Sequence, residues 1–131
     1  MIDRAKDWFS QAQRDLEQAK ESRASKRYEW ACFASHQAAE KAVKALHLAN
    51  GQEAWGHVIA RLLRELPRAI TVTEERIDKA HVLDSYYVAA RYPNGHAEGA
   101  PFENIGKLQA EEAVRYASEI IEFASVQMAA S

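Results

Sequence analysis

An arginine and a histidine enclose a short turn-forming stretch, with Arg91 followed by Tyr-Pro-Asn-Gly and then His96. Proline, asparagine and glycine favour a turn, so we expect the imidazole to fold back towards the guanidinium. A guanidinium binds phosphate and stabilises developing negative charge, whereas an imidazole exchanges protons near neutral pH. The pair therefore suits metal-free RNA cleavage. Arginine at a helix end also complements the helix dipole, however, and loop histidines are commonly just solvated.

Four further side chains are predicted to complete a substrate-binding site around this pair. Asp84 and Tyr87 lie seven and four residues before Arg91. On one continuous helix, this spacing places all three on the same stripe, where Asp84 and Tyr87 would orient the arginine. Tyr92, together with Tyr86 and Tyr87, is predicted to line a groove beside the arginine. Asn94, within the turn, is the remaining candidate.

The second predicted helix carries a different set of candidate ligands, His36, Glu40, Lys44 and His47. Two histidines and a carboxylate on one helix face are sufficient donors for zinc. The spacing matches no established zinc motif, and the lysine would repel the cation. We therefore expect a hydrogen-bonded His–Glu pair and no metal or other cofactor. His57 is placed at the start of the third helix, where it is expected to help cap that helix.

A basic elbow joins the first two predicted helices. Charged residues in a connection are most often simply solvated, although these cations can also contact phosphate. Tryptophan side chains can stack on bases, but the periodicity places Trp8 and Trp30 on core-facing positions. The elbow comprises Lys20, Arg23, Lys26 and Arg27.

Length and composition indicate one globular domain that covers residues 1–131. The net charge of −2 and the pI near 6.2 exclude a protein that coats nucleic acid by charge alone, although a small basic site remains compatible. No apolar run approaches the roughly 20 residues of a membrane span, and the charged N-terminus does not resemble a signal peptide. We expect a cytoplasmic protein. Its single cysteine, Cys32, is interpreted as a small core residue.

Apolar residues recur at three- and four-residue steps in five segments, and no segment alternates with a period of two. The pattern predicts an all-α fold, an up-and-down bundle of four main helices plus one short helix. The fourth helix begins at Thr71 or Thr73 and should stop near Arg91, because Pro93 disfavours helical geometry before it. A bundle of this size leaves apolar surface uncovered, which favours a homodimer. The predicted helices cover about 3–22, 28–49, 57–66, 71 or 73 to 91, and 108–129.

Three stretches of the chain resemble the HEPN domain family (higher eukaryote and prokaryote nucleotide-binding). They are CFASHQAAEKAVKALHLANG on the second helix, GHVIARLLREL on the third, and YYVAARYPNG at the end of the fourth. The resemblance starts with an A-x2-W-x6-D-L-x2-A pattern in the first helix and extends over nearly the whole chain. The form of the last stretch is similar to that of small stand-alone prokaryotic members.

The resemblance implies a helical bundle that commonly forms a homodimer and is often encoded beside a minimal nucleotidyltransferase as a toxin–antitoxin pair. Active members are metal-independent ribonucleases in which an arginine and, four to six residues later, a histidine meet their counterparts in a cleft at the dimer interface. Arg91 and His96 fit the shortest spacing, as the catalytic pair.

Two positions depart from the active pattern. Active members have a polar residue directly after the arginine, where this chain has Tyr92, and toxin members commonly have a tyrosine where it has Glu98. The leading hypothesis is a nucleotide- or RNA-binding protein, with a toxin-type endoribonuclease as its catalytic form. The alternative is a non-catalytic binding or interaction module that supports a partner nucleotidyltransferase.

Overall fold

Helices make up the regular structure of the protein in a computed structural model that describes residues 3–130. This part of the chain contains no β-strand. A single 3-10 turn, residues 93–95, follows the fifth helix. The helices in chain order are α1 (Arg4–Ala24), α2 (Tyr28–Ala49), α3 (Ile59–Arg64), α4 (Glu74–Asp84), α5 (Tyr86–Ala89), α6 (Pro101–Asn104) and α7 (Lys107–Ala130).

Helix α2 is the centre of the bundle. It packs along α1 on one side and along α7 on the other, while α1 and α7 also contact each other. The buried positions that face one another are largely alanines, whose small side chains let the helix backbones approach closely. Helices α3 and α4 pack together and close the remaining side against α2 and α7. The all-α class and the helical bundle predicted from the sequence are confirmed.

Hydrophobic periodicity and capping residues located the long helices well. Helix α2 has the predicted bounds, and α1 and α7 differ from theirs by one or two residues. The carboxylate of Asp3 accepts a hydrogen bond from the Ala5 amide at 3.1 Å and caps α1. Of the two threonines considered for the start of α4, Thr73 is the cap, because its hydroxyl accepts from the Arg76 amide at 3.2 Å.

The fourth predicted helix is interrupted, contrary to the prediction of one helix that reaches Arg91. The break falls at Ser85, whose hydroxyl donates to the Val82 carbonyl at 2.5 Å. Such a side-chain bond to the preceding turn competes with the regular backbone ladder. The third helix is also shorter than predicted, and the short helix α6 was not predicted. These short segments have too few turns to produce a periodic pattern.

Burial corrects part of the predicted apolar face of α2. Trp30 is 50% exposed rather than core-facing. Trp8 on α1 is only partly buried, beneath the Lys44 ammonium. The cause is that α2 is apolar over more of its circumference than its neighbours cover, so periodicity could not tell the covered stripe from the open one.

Cys32 lies in the core, as predicted. Its side chain is fully buried, and desolvation raises the pKa of the thiol from 9.0 to about 12. A thiol in this state is neutral and unreactive at physiological pH. No helix within residues 3–130 has both the length and the apolar character required to cross a membrane.

Candidate functional site

Arg91 lies just after α5 and is held by aromatic rings. Its Nε donates a hydrogen bond to the carbonyl of Tyr87 at 2.8 Å, one helical turn earlier. The guanidinium carbon lies 4.5 Å from the ring centre of Phe33, 4.6 Å from that of Tyr87 and 5.1 Å from that of Tyr92. Because cation–π contacts and one backbone bond fix the side chain, the guanidinium is oriented before any ligand arrives.

No carboxylate neutralises this arginine within the part of the chain that the structure describes. Lys79, by contrast, pairs with both Glu75 and Glu119. The side chain of Arg91 is half-buried, and among its nitrogens Nε alone is hydrogen-bonded to residues 3–130. The two terminal nitrogens therefore keep their donors for an anion, which a planar guanidinium can bind in a bidentate manner.

The RYPNG turn folds His96 back onto α5, where the imidazole contacts the helix backbone, and its approach to the guanidinium of Arg91 stays a prediction. Its Nε2 lies 2.6 Å from the carbonyl oxygen of Ala89, which identifies Nε2 as the donor. Gly95 makes this approach possible, since a Cβ there would lie 2.7 Å from the Cα of Ala89. Arg91 and His96 thus bind the carbonyls of Tyr87 and Ala89, which lie two residues apart at the C-terminal end of α5.

Asp84 has a different role from the one that its spacing suggested. Its carboxylate oxygens accept from the amides of Ile59 at 2.7 Å and Ala60 at 3.1 Å, and one of them lies 3.3 Å from Nε2 of His36. It therefore caps α3 instead of orienting Arg91. The break at Ser85 removes the continuous stripe on which the prediction depended. We expected His57 to help cap α3, but the carboxylate of Asp84 caps this helix.

His57 is a residue of the site that sequence reasoning did not identify. Its ring stacks on Tyr87, with centroids 4.7 Å apart and an interplanar angle of 16°. Its Nδ1 lies 2.9 Å from the carboxylate of Glu40, which is 5% exposed and also binds Lys44 at 3.2 Å. Tyr87 thus contacts both the imidazole and the guanidinium of Arg91. Thirty residues separate His57 from Tyr87, so no local spacing could reveal this contact.

The remaining members of the predicted histidine stripe serve the fold. The ring of His36 is buried, and its Nε2 also lies 2.9 Å from the carbonyl oxygen of His57. The predicted His36–Glu40 pair does not form, because Glu40 binds His57. His47 bonds to the Leu62 carbonyl at 2.8 Å. Across residues 3–130, no three His, Cys, Asp or Glu side chains are arranged to hold a metal ion.

The other candidates divide between the site and the core. Tyr92 is 51% exposed and contacts the guanidinium of Arg91. Asn94 is exposed within the 3-10 turn. Tyr86 does not line the groove with them, because it packs against the core. Phe33, which sequence reasoning did not place at the site, is the further aromatic contact of Arg91.

The fold is that of a known domain class. The family model described as HEPN domain matches residues 5–127, which is nearly the whole chain. The chain belongs to the HEPN domain family. It is 29% identical over 127 residues to a protein of Methanocaldococcus jannaschii named "Putative toxin MJ1304", an alignment that covers 90% of this chain and 84% of the relative.

Solved structures agree with this assignment over almost the full length. TT1696 from Thermus thermophilus is 45% identical with a TM-score of 0.94, and the match covers 96% of this chain and 99% of that one. The archaeal HEPN homologue ST0689 is 39% identical with a TM-score of 0.82, over 98% and 99% of the two chains. The HEPN domain protein tm0613 from Thermotoga maritima is 38% identical with a TM-score of 0.77, over 93% and 97%.

Proposed function

We propose that this HEPN-family protein binds the phosphate of a nucleotide or of RNA at Arg91. One observation carries the proposal: the guanidinium is fixed by three aromatic rings and a backbone carbonyl while no carboxylate pairs with it in the described structure. A fixed cation with unused donors binds phosphate at little cost in conformational entropy. Tyr87 and Tyr92 orient it, and Asn94 in the adjacent turn supplies a further polar group.

The proposed binding site is a cleft shared by two copies of the chain. Val88 and Tyr92, on either side of Arg91 in the sequence, are 44% and 51% exposed. Large apolar side chains exposed beside a functional residue favour coverage by a partner. A homodimer that covers them would bring two arginines to one cleft. A minimal nucleotidyltransferase is the proposed second partner, as the resemblance to toxin–antitoxin HEPN proteins implies.

The catalytic form of the proposal is a metal-independent endoribonuclease, and the toxin name of the M. jannaschii relative supports it. His96 would take the proton of a ribose 2′-hydroxyl through Nδ1, because Nε2 is bonded to Ala89. The 2′ oxygen would attack phosphorus, and the bond to the 5′ oxygen would break. The products are a 2′,3′-cyclic phosphate and a 5′-hydroxyl that takes its proton from water. Arg91 would stabilise the charge on the phosphoryl oxygens.

A second candidate function is a non-catalytic nucleotide-binding or interaction module that supports the partner enzyme. The observation that favours it is the bond from His96 to the Ala89 carbonyl at 2.6 Å, which anchors the turn to α5. An imidazole used for anchoring supports the site without exchanging protons. Binding at Arg91 is common to both candidates, and only cleavage separates them.

A cleavage assay on purified protein tests the two forms. Labelled single-stranded RNA is incubated in EDTA with wild type, Arg91→Ala, His96→Ala and Arg115→Ala. Arg115 is the matched control, because it also lies over an aromatic ring, 5.3 Å from Tyr116 on α7. If the protein is a nuclease, wild type and Arg115→Ala should cleave the RNA and leave cyclic-phosphate ends. Arg91→Ala and His96→Ala should not cleave it. If the RNA stays intact with all four proteins and only Arg91→Ala fails to bind it, the protein is the binding module.

A further inference from the structure

An open groove of about 600 Å³ runs between α1 and α2, on the stripe of α2 that the core does not cover. Trp30 and Phe33 form its aromatic wall. Trp30 is 50% exposed and meets Phe33 edge-on, with centroids 6.1 Å apart and an interplanar angle of 83°. The volume lies within the range of small-molecule sites. A large aromatic side chain that is half exposed in a groove offers a surface on which a flat ring can stack.

The groove adjoins the arginine site through a shared side chain. Phe33 lines the groove, and the guanidinium of Arg91 lies 4.5 Å from the centre of the same ring. A ligand whose phosphate binds Arg91 therefore has the groove next to it, with one aromatic residue between the two positions.

The polar lining of the groove suits a neutral ring with hydrogen-bonding edges. The amide nitrogens of Gln18 and Gln37 are bonded to Ser22 and His36 at 3.0 and 3.1 Å, which leaves each amide a second N–H and a carbonyl oxygen for a ligand. Lys41 is paired with Asp15, so these two side chains balance each other's charge. The groove lining therefore has no free carboxylate that would repel an anionic ligand. It also has no unpaired cation deep in the groove that would favour a charged ring over a neutral one.

The outer end of the groove is positively charged. Ser25 and Arg27 line it there, in the connection between α1 and α2, which contains Lys26 and Arg27 of the basic elbow. Arg27 and Lys26 are exposed. The elbow at one end of the groove and Arg91 on the other side of Phe33 provide two separate cationic positions for the regularly spaced phosphates of an extended strand.

We propose that this groove binds a nucleobase of single-stranded RNA, stacked on Trp30, while a neighbouring phosphate of the same strand lies on Arg91. This inference rests on the proposed function and assigns its ligand class, an oligonucleotide instead of a mononucleotide. Gln18 and Gln37 contact the edges of the base, and the elbow contacts the backbone beyond it. The stacking surface accepts any base, so affinity depends on strand length more than on sequence.

Fluorescence anisotropy with a short labelled single-stranded RNA tests the groove, and isothermal titration with pyrophosphate tests Arg91 alone. The variants are Trp30→Ala, Arg91→Ala and the control Trp55→Ala, whose side chain is 79% exposed and lines other surface depressions. We expect Trp30→Ala to weaken RNA binding about tenfold and to leave pyrophosphate binding unchanged. Arg91→Ala should weaken both, and Trp55→Ala neither.

The other outcomes separate this inference from the proposed function. If Trp30→Ala binds RNA as tightly as Trp55→Ala does, the base site is overturned, while a loss in Arg91→Ala still supports the phosphate site. If RNA binding requires Trp30 but not Arg91, the base site in the groove is supported and the proposed function is contradicted. Conversion of the protein to a monomer by Trp30→Ala, measured by light scattering, would show that a second copy fills the groove and would overturn the inference.

Discussion

At the scale of single residues, Arg91 depends on aromatic rings for the orientation that a carboxylate often provides. A carboxylate would hold the guanidinium equally well, but it would also neutralise the charge needed for phosphate. Tyr87 contributes in two ways, with its ring 4.6 Å from the guanidinium carbon and with its carbonyl as the acceptor for Nε. Only the ring contact depends on the side chain, so substitution can separate the two contributions.

Replacement of Tyr87 tests the ring contact. Tyr87→Phe keeps an aromatic face against Arg91, so its affinity for pyrophosphate should equal that of wild type. Tyr87→Ala removes the face and should lose about 0.5–2 kcal/mol of binding free energy, the range of a cation–π contact. Isothermal titration measures both. Equal losses in the two variants would show that the hydroxyl, and not the ring, supports the site.

Sequence spacing revealed the local half of this site. Tyr87 and Arg91 are four residues apart, so their contact follows from one helical turn. Phe33 and His57 reach the site from α2 and from the connection before α3. Such contacts depend on how helices pack and could not be derived from a single sequence. Asp84 was misplaced for a related reason, because the prediction assumed an unbroken helix through Ser85.

At the scale of secondary-structure elements, the site is built on the end of α5 and the turn that follows. The last carbonyls of a helix lack intrahelical partners. Here those of Tyr87 and Ala89 are bonded by the side chains of Arg91 and His96. The turn thereby completes the helix end and at the same time fixes the two residues predicted as the catalytic pair.

Gly95→Ala tests the close packing of the turn. A methyl group at this position would lie 2.7 Å from a backbone atom of Ala89, so the turn must move away from α5. We expect a loss of about 1–3 kcal/mol in the free energy of unfolding, measured by urea denaturation. Gly106→Ala is the control, since its nearest neighbour would be at 3.5 Å and ordinary contact results. If the two variants are equally stable, the packing described for the turn is wrong.

Asp84→Ala separates a role in the fold from a role at Arg91. The carboxylate caps α3 through two backbone amides, so its removal should cost about 0.5–2 kcal/mol of stability. Because it does not bind Arg91, the affinity for pyrophosphate should stay unchanged under conditions where the variant is folded. Thermal unfolding and titration report the two effects. A selective loss of affinity with full stability would restore the orienting role inferred from spacing.

Periodicity and capping signals were sufficient for the long elements and insufficient for the short ones. Helix α2 has several turns of consistent apolar pattern, and its predicted bounds are those observed. The interruption between α4 and α5 depends on one serine hydroxyl, and α6 has only four residues. Neither produces a periodic signal. Trp30 shows the limit for burial, because an apolar stripe does not reveal whether a partner covers it.

At the scale of the whole molecule, the proposal requires a second copy. A cleft formed by two bundles would place two arginines, each with its aromatic frame, around one ligand. The exposed Val88 lies one helical turn before Tyr92, and both border Arg91 in the sequence. Binding by one copy alone would leave these apolar side chains in water.

Light scattering after size exclusion tests the assembly. Wild type should elute as a dimer, and Val88→Arg should be a monomer because it places a charge in the proposed interface. Val126→Arg is the control, because Val126 is 53% exposed but lies outside the proposed interface. It is close to Arg76 in the first turn of α4, whereas Arg91 follows α5 at the opposite end of the α4–α5 segment. A monomeric wild type, or a Val88→Arg variant that remains dimeric, would contradict the shared cleft.

The most direct measurement is the affinity of Arg91→Ala for a phosphate ligand, compared with that of wild type and Arg115→Ala. Loss of a charge-assisted contact is worth about 1.5–3 kcal/mol, so titration with pyrophosphate should show at least about a tenfold weaker affinity for Arg91→Ala alone. Circular dichroism verifies that all three proteins are folded. Equal affinity in all three would contradict the assignment of Arg91 as the phosphate-binding residue.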